Sequence, residues 1–468
     1  MSGAGFVTRH FPPPALTTTL TFQLTMTITL RCLLLCFLTL IIPPASAAPV
    51  NMGPQQEASI RFDLLIVYPS TTPGPVQLAP LLRTWPGLTL VDKTPAKPSG
   101  RTVRATPHPA FDKFSERELK YMARGLNATE LAAMQSEHPF LALQFAHPRQ
   151  EALPALRAAY QLALKLARKD KGLIWDNETR ELYAPDAWEE KRLATWSESI
   201  PIASANTVMH TYMNGELPRQ ITLGMRKFGL PDIVVSRVPQ SATGSTAHLI
   251  NLLSQALLEG ASVGPAGSFD LALDAIQNKA VRAKALDSLK ADPKKVAFLE
   301  LHQAKREAGD PDNRLIEIGF ARHPGPDSSA RQAAALASLF GADDGIKYIR
   351  HDDALRLESE RAQKKLAAMQ AEFQRGLPTG QYLEVKAPFP TDTGRHEWMW
   401  VELTRWDGNK MEGLLQNTPF EIKSMKAGQI VRVRQQDVFD YLRSFPDGRQ
   451  EGNTTGALIE KMQEAKTK

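Results

Sequence analysis

The side chains able to do chemistry sit in a few short clusters. His351-Asp352-Asp353 and His396-Glu397 set imidazole beside carboxylate. A metal ion needs three or more convergent ligands, and neighbours at i, i+1 and i+2 do not share a helix face. The first cluster reads instead as a helix start, with Asp352 or Asp353 capping it and complementing its dipole. The acidic pairs Asp343-Asp344 and Asp352-Asp353 are explained by turn and cap positions rather than by a glycosidase pair. HExxH and the EF-hand pattern are missing. Serine chemistry has neither G-x-S-x-G nor S-x-x-K. Gly244-Ser245-Thr246 falls just before an expected helix, where capping accounts for it. No Walker loop occurs, and Gly264-Pro265-Ala266-Gly267 suits a linker. No metal and no cofactor is expected.

What remains are surfaces that could bind. Trp398 and Trp400 share one face of an alternating strand, and with Trp406 they could stack on sugar or peptide. Core packing is the competing reading and the favoured one, because a domain this small needs bulky residues to fill it. Arg432 and Arg434 alternate with Val431 and Val433. They point outward, as a solvated face or a weak anion-binding patch.

The chain of 468 residues has room for several domains at ~100–200 residues each. Its 43% apolar and 23% charged residues suit a globular protein. The net charge is +6. Arg9 and Arg31 supply two of those charges within residues 1–47, which carry no acidic residue. So mild an excess is no nucleic-acid footprint.

Both cysteines, Cys32 and Cys36, lie in one greasy stretch, and the chain beyond has none. Disulfides, thiol catalysis and zinc-thiolate sites are thereby excluded downstream. That stretch reads as an export signal. Arg31 gives a thin positive region, residues 33–42 are apolar, Pro43 and Pro44 break the helix, and Ala45-Ser46-Ala47 offers the small-x-small cleavage pattern. Cleavage is expected after Ala47. Residues 28–42 fall short of the ~20 apolar residues a membrane span needs. Residues 1–25 are patternless, and translation is expected to begin at Met26.

Strands are expected at residues 60–68, 88–91, 140–145, 172–175, 206–212, 220–224, 233–238, 296–304, 315–321 and 346–349. Residues 94–110 read as an exposed loop. Helices are expected at 151–169, 247–258, 268–289, 328–340 and 352–373, and a capping box at Ser115 and Glu118 opens another. The stripe on the 352–373 helix reads as core packing before a coiled-coil seam, since only about three heptads exist. Past residue 376 the expected strands are 398–406, 411–415, 420–422 and 429–433, with turns at Asp407-Gly408-Asn409 and Asn417-Thr418-Pro419 and a short helix at 436–442.

Here the sequence resembles a known family. Glu397-Trp398-Met399-Trp400-Val401-Glu402-Leu403, the Trp406-Asp407-Gly408 turn, Glu412-Gly413-Leu414-Leu415-Gln416-Asn417 and Lys426-Ala427-Gly428-Gln429-Ile430-Val431-Arg432-Val433 occur in order at compact spacing. They are similar to the YegJ-like domain of unknown function. The resemblance implies a bacterial origin and a small β-rich fold, with no catalytic residue to carry over. A fainter likeness to other bacterial proteins lies at residues 222–233, from Thr222 to Ile233.

The whole reads as an α+β protein. The expected units are a signal segment (1–47), an N-terminal α+β domain (48–260), a middle α+β region ending in the long helix (261–375), and the YegJ-like domain (376–468). The first two folded units are expected to be α/β-sandwich-like, the last a small curved sheet or partial barrel. The expected role is that of an exported, periplasmic or secreted, non-enzymatic binding protein. Its expected partner is another envelope protein or a cell-wall component. Nucleic acid is not a partner, and membrane contact is confined to the signal segment before cleavage. The rival is a periplasmic hydrolase whose site is gathered from distant segments.

Overall fold

The computed structural model describes residues 57–69, 80, 83–196, 200–342, 353–391 and 396–459. The signal segment with Ala45 and Ala47, the Asp343-Asp344 pair, the strand at 346–349 and His351-Asp352 lie outside these residues. The described residues form an α+β protein built on three open sheets.

The first sheet holds β1 (Ser59–Val67), β2 (Thr89–Leu90), β3 (Thr102–Phe111), β4 (Ala123–Arg124), β5 (His138–Pro148), β6 (Leu173–Asp176) and β7 (Glu181–Tyr183), in the order β2-β3-β5-β1-β6-β7-β4. The apolar run of β1 makes it central, paired antiparallel to β5 and β6. α1 (Glu116–Met122) begins with the expected capping box of Ser115 and Glu118, and α2 (Ala128–Ala133) follows it. α3 (Ala152–Asp170) buries Leu156, Tyr160, Ala163 and Ala167 against the sheet. It ends at Lys171, with φ of 52°, and Gly172 follows because a Cβ there would lie 2.8 Å from Ile66. α4 (Pro185–Trp188) closes the unit.

Residues 94–110 are not wholly a loop: β3 occupies 102–111. Pro107 and Pro109 disguise it, since proline suits only a strand whose outer side is open. Among the described residues only β2 lies beyond β3, and it pairs with Thr102 and Val103.

The second sheet holds β8 (Val208–Asn214), β9 (Leu217–Leu223), β10 (Asp232–Val235), β11 (Ser268–Ala272), β12 (Val296–Gln303) and β13 (Leu315–Gly319), in the order β11-β12-β13-β10-β9-β8. The β8–β9 hairpin turns through Gly215, whose φ is 75°. β12 and β13 pair antiparallel. Residues 268–289 are not one helix. Phe269 and Leu271 are buried while Asp270 is exposed, a period of two, and the segment pairs as β11 with β12. Helix returns only at α6 (Lys279–Asp287), capped by Asn278. α5 (Thr243–Leu258) and α7 (Ser328–Phe340) cover the sheet. The sheet takes strands from both sides of residue 260. One continuous apolar core runs from Phe62, Leu64 and Leu156 through Phe228 and Ile233 to Leu253 and Leu339.

The third sheet holds β14 (Tyr382–Pro390), β15 (His396–Asp407), β16 (Lys410–Leu415), β17 (Ile430–Arg434), β18 (Asp440–Ser444) and β19 (Gln450–Gly452), in the order β17-β16-β15-β14-β18-β19. α8 (Asp353–Gln374) lies on it, with Ala362 and Leu366 in the same core as Val385, Val401 and Trp406. Its apolar stripe is core. A bulge between Leu403 and Arg405 bends β15. Two expectations fail here. Residues 420–422 form no strand. Residues 436–442 are not a helix but a tight turn at Gln435–Asp437 and the start of β18, held when Phe439 N–H donates to Lys386 O at 2.7 Å. Among the described residues no helix is long and apolar enough to cross a membrane.

Leu366 is fully buried between α8 and the third sheet. Leu366→Ala is expected to lower unfolding free energy by about 2–5 kcal/mol, read from urea melts. A change near zero would show that α8 is not docked there.

Candidate functional site

The bent β15–β16 hairpin and the end of β17 face residues 387–390 of β14 across a cleft of about 560 Å³. Ala387, Pro388, Phe389 and Pro390 form one wall; Arg405, Lys410, Arg432 and Arg434 bring four cations to the other, with Asp407, Glu412 and Asp437 among them. Arg432 Nε meets Glu412 at 2.7 Å and Arg434 Nε meets Asp437 at 2.7 Å, with guanidinium side chains 83% and 64% exposed. Arg405 Nε donates to Glu216, on the β8–β9 turn, at 2.9 Å. Lys410 holds no ion pair among the described residues. Its register partner across β16–β17 is Arg434, another cation. Arg432 and Arg434 thus point outward and line a cleft, while Arg405 and Lys410 carry no sequence signal that would mark them.

Trp398 and Trp400 lie half-buried on the face of β15 opposite the core. Trp398 packs on Phe439 with ring centroids 4.8 Å apart, and Lys386 Nζ lies 5.7 Å from the Trp400 ring. Trp406, of the same parity, is core because the intervening bulge shifts the alternation. His396 is exposed, and Glu397 accepts N–H bonds from Phe420 at 2.8 Å and Glu421 at 3.0 Å. That carboxylate anchors a turn.

The same outer face carries Glu384 and Glu402, directly opposite each other on β14 and β15. Glu402 is enclosed, and it accepts from Gln240 N at 2.7 Å, Ser241 N at 3.2 Å and Ser241 Oγ. These groups lead into α5, so Glu402 caps a helix of the second sheet from the third. Gly244-Ser245-Thr246 therefore does not precede that helix; it lies inside its first turns. Ile430 N–H adds to the joint by donating to Asp327, the α7 cap, at 3.0 Å. Burial pushes both glutamates upward, and with the charge of Glu402 alongside, Glu384 reaches about 8. The hydrogen bonds on Glu402 favour its charged form, so Glu384 keeps the proton.

A second polar cluster lies between the first and second sheets. Lys227, in the tight turn Met225–Phe228, donates from Nζ to Asp176 Oδ2 at 2.5 Å. Arg192 Nη2 reaches Asp176, Thr179 and Glu181, each at 3.1 Å. Tyr183 OH donates to Glu181 at 2.6 Å. Gly224, with φ of 109°, lets this loop approach, since a Cβ would lie 2.8 Å from Thr179 Cγ2. Asp232 closes the loop by accepting from Thr222 Oγ1, Met225 N and Asn313 Nδ2. Burial raises Asp232 to about 6 and lowers Lys227 to about 8, the latter against the pull of Asp176. Burial works to raise Asp176 as well, but Lys227 and Arg192 outweigh it and hold the carboxyl below its ordinary range. Groups tuned this way occur at active sites. Here Lys227 and Asp176 are fully enclosed, and Lys227 spends its charge on Asp176 of the other sheet, which also accepts from Arg192 and from the N–H groups of Glu178 and Thr179. The 222–233 run noticed in the sequence is this keystone loop. Among the described residues no group of three or more His, Cys, Asp or Glu could hold a metal ion.

Residues 352–468 match the family described as an uncharacterized protein conserved in bacteria (DUF2314). That span contains α8, the third sheet, the cleft and both outer-face glutamates. No curated protein and no solved structure matches the chain.

Two outcomes are expected. Asp176→Asn strands two buried cations and is expected to cost about 3–5 kcal/mol in chemical denaturation, with Asp176→Asn/Lys227→Met recovering part of it; a single-variant loss too small to measure would remove the keystone role. The folded state holds the Glu384 proton more tightly than the unfolded chain, with a pKa of about 8 against 4.5. Stability from this group is whole below 4.5 and is lost as pH rises to about 8. Glu384→Gln is expected to flatten that fall in Tm against pH; an unaltered slope would reassign it.

Proposed function

We propose that the protein is exported and acts as a binding protein of the bacterial envelope, with an anionic ligand held in the C-terminal cleft. One observation carries the cleft reading: Lys410 and Arg434 stand directly opposite each other on neighbouring strands at its rim. Like charges so placed repel; Asp437 answers Arg434 alone, and an anion seated between the two would answer Lys410 as well. The Arg432–Glu412 and Arg434–Asp437 pairs are exposed, so each contributes little to stability. A ligand carboxylate or phosphate can take over such a guanidinium at small cost, with bidentate geometry available.

Export is supported by the apolar run ending in Ala45-Ser46-Ala47 and by a body without cysteine. The likeness of the C-terminal segments to the YegJ-like domain belongs to the same reading. The partner proposed is an envelope protein or cell-wall component bearing acidic groups. A hydrolase is the weaker reading, because the most strongly tuned groups, around Lys227, are reached only by parting two sheets.

The test is a titration of the mature protein with a short oligoglutamate at low and high salt. Binding that weakens with salt, and that falls at least ~tenfold in Lys410→Glu/Arg434→Glu, is expected. No saturable binding at low salt would overturn the reading.

A further inference from the structure

We propose that the ligand of this cleft is an extended acidic peptide segment that adds as a strand along the outer edge of β17. This rests on the cleft being an anion site and goes further by naming the ligand's shape and its backbone contacts.

The hydrogen-bond register fixes which way β17 faces. Gln416 N–H donates to Trp400 O at 2.8 Å, so Leu414 and Gln416 turn their backbone groups toward β15. Leu415 N–H donates to Gln429 O at 2.9 Å, so Leu415, Gly413 and Met411 turn theirs toward β17. Their register partners Val431 and Val433 therefore face β16. By alternation the N–H and C=O groups of Ile430, Arg432 and Arg434 point away from the sheet. The bond from Ile430 N–H to the Asp327 carboxylate, 3.0 Å long, agrees with this direction. Among the described residues β17 is the last strand on its side of the sheet. An open edge of this kind is a template for another strand.

Charge selects the strand. Glu412 is the register partner of Arg432, and Lys410 that of Arg434. A carboxylate beside Arg432 would extend an alternating row from Glu412 across Arg432 to the newcomer. One beside Arg434 would answer the Lys410–Arg434 repulsion. Both arginines share one face of β17, so the incoming acidic residues fall at alternate positions. The position between them lies beside Val433, which packs on the core, and suits a small apolar side chain. Asp327 already covers the Ile430 end, so the contact centres on Arg432 to Arg434. The segment is thus acidic, apolar, acidic in an extended backbone.

The experiment uses fluorescein-labelled Glu-Val-Glu-Val-Glu, the same peptide N-methylated at its valine amides, the same peptide N-methylated at its glutamate amides, and Lys-Val-Lys-Val-Lys, each titrated into the mature protein by fluorescence anisotropy. The parent acidic peptide is expected to bind and the lysine peptide not to bind. One of the two methylated forms, whichever has its blocked amides turned toward β17, is expected to bind roughly tenfold more weakly than the parent, while the other keeps its affinity. Equal binding by the parent and both methylated peptides would overturn strand addition and leave the anion site standing. Failure of every acidic peptide, oligoglutamate included, would overturn both. As a second check, Arg432→Pro and Arg432→Ala both remove the guanidinium but only the proline also removes the outward N–H, so Arg432→Pro is expected to weaken the parent peptide more than Arg432→Ala does; equal effects of the two variants would count against the edge.

Discussion

Asp176 answers two cations at once, and the relation between the first two sheets depends on it. Lys227 comes from the loop that leads into β10, and Arg192 from the turn after α4. Each would be prohibitively costly to bury alone. Together with Glu181, Thr179 and Tyr183 they form a connected set in which nearly every donor has an acceptor. Because the ammonium of one sheet can be desolvated only beside the carboxylate of the other, the two sheets have one relative placement that leaves no buried charge unanswered. Gly224 belongs to the same constraint, since its positive φ brings the loop close enough for Lys227 to reach.

The third sheet is joined by a different device. Glu402 accepts the free N–H groups that lead into α5, and Asp327 takes an edge N–H from β17. Unsatisfied amides at a helix start attract a carboxylate, and the Arg405–Glu216 pair adds a side-chain contact across the same joint. Glu384 beside Glu402 is then left protonated, because burial disfavours its charged form and the Glu402 carboxylate facing it on the adjacent strand adds to that. The outer face with Trp398 and Trp400 is shaped by this joint, while the cleft at Arg432 and Arg434 opens beyond it.

Local patterns were legible where one physical effect dominated. α1 follows from its capping box, and α3, α7 and α8 from apolar periodicity. Failures came where a neighbour overruled the local signal. β3 was hidden by Pro107 and Pro109, which its open outer side tolerates. β11 was hidden by small residues that also suit a helix, until pairing with β12 chose between them. Trp406 shares parity with Trp398, yet a bulge sends it to the core. In the site, Arg432 and Arg434 could be read as outward from the valines between them, but nothing in the order of residues says that Lys410 stands opposite Arg434.

By itself, then, the sequence determined composition and periodicity: an α+β chain without cysteine past residue 36, amphipathic helices, and alternating strands with identifiable turns. These depend on interactions a few residues long. Only the tertiary structure decided which charges meet. Asp176 and Lys227 are 51 residues apart, Ser241 and Glu402 161 apart. Contacts at such separation are fixed by strand order and register, which arise when sheets bury their apolar faces together, and no local pattern encodes the partner.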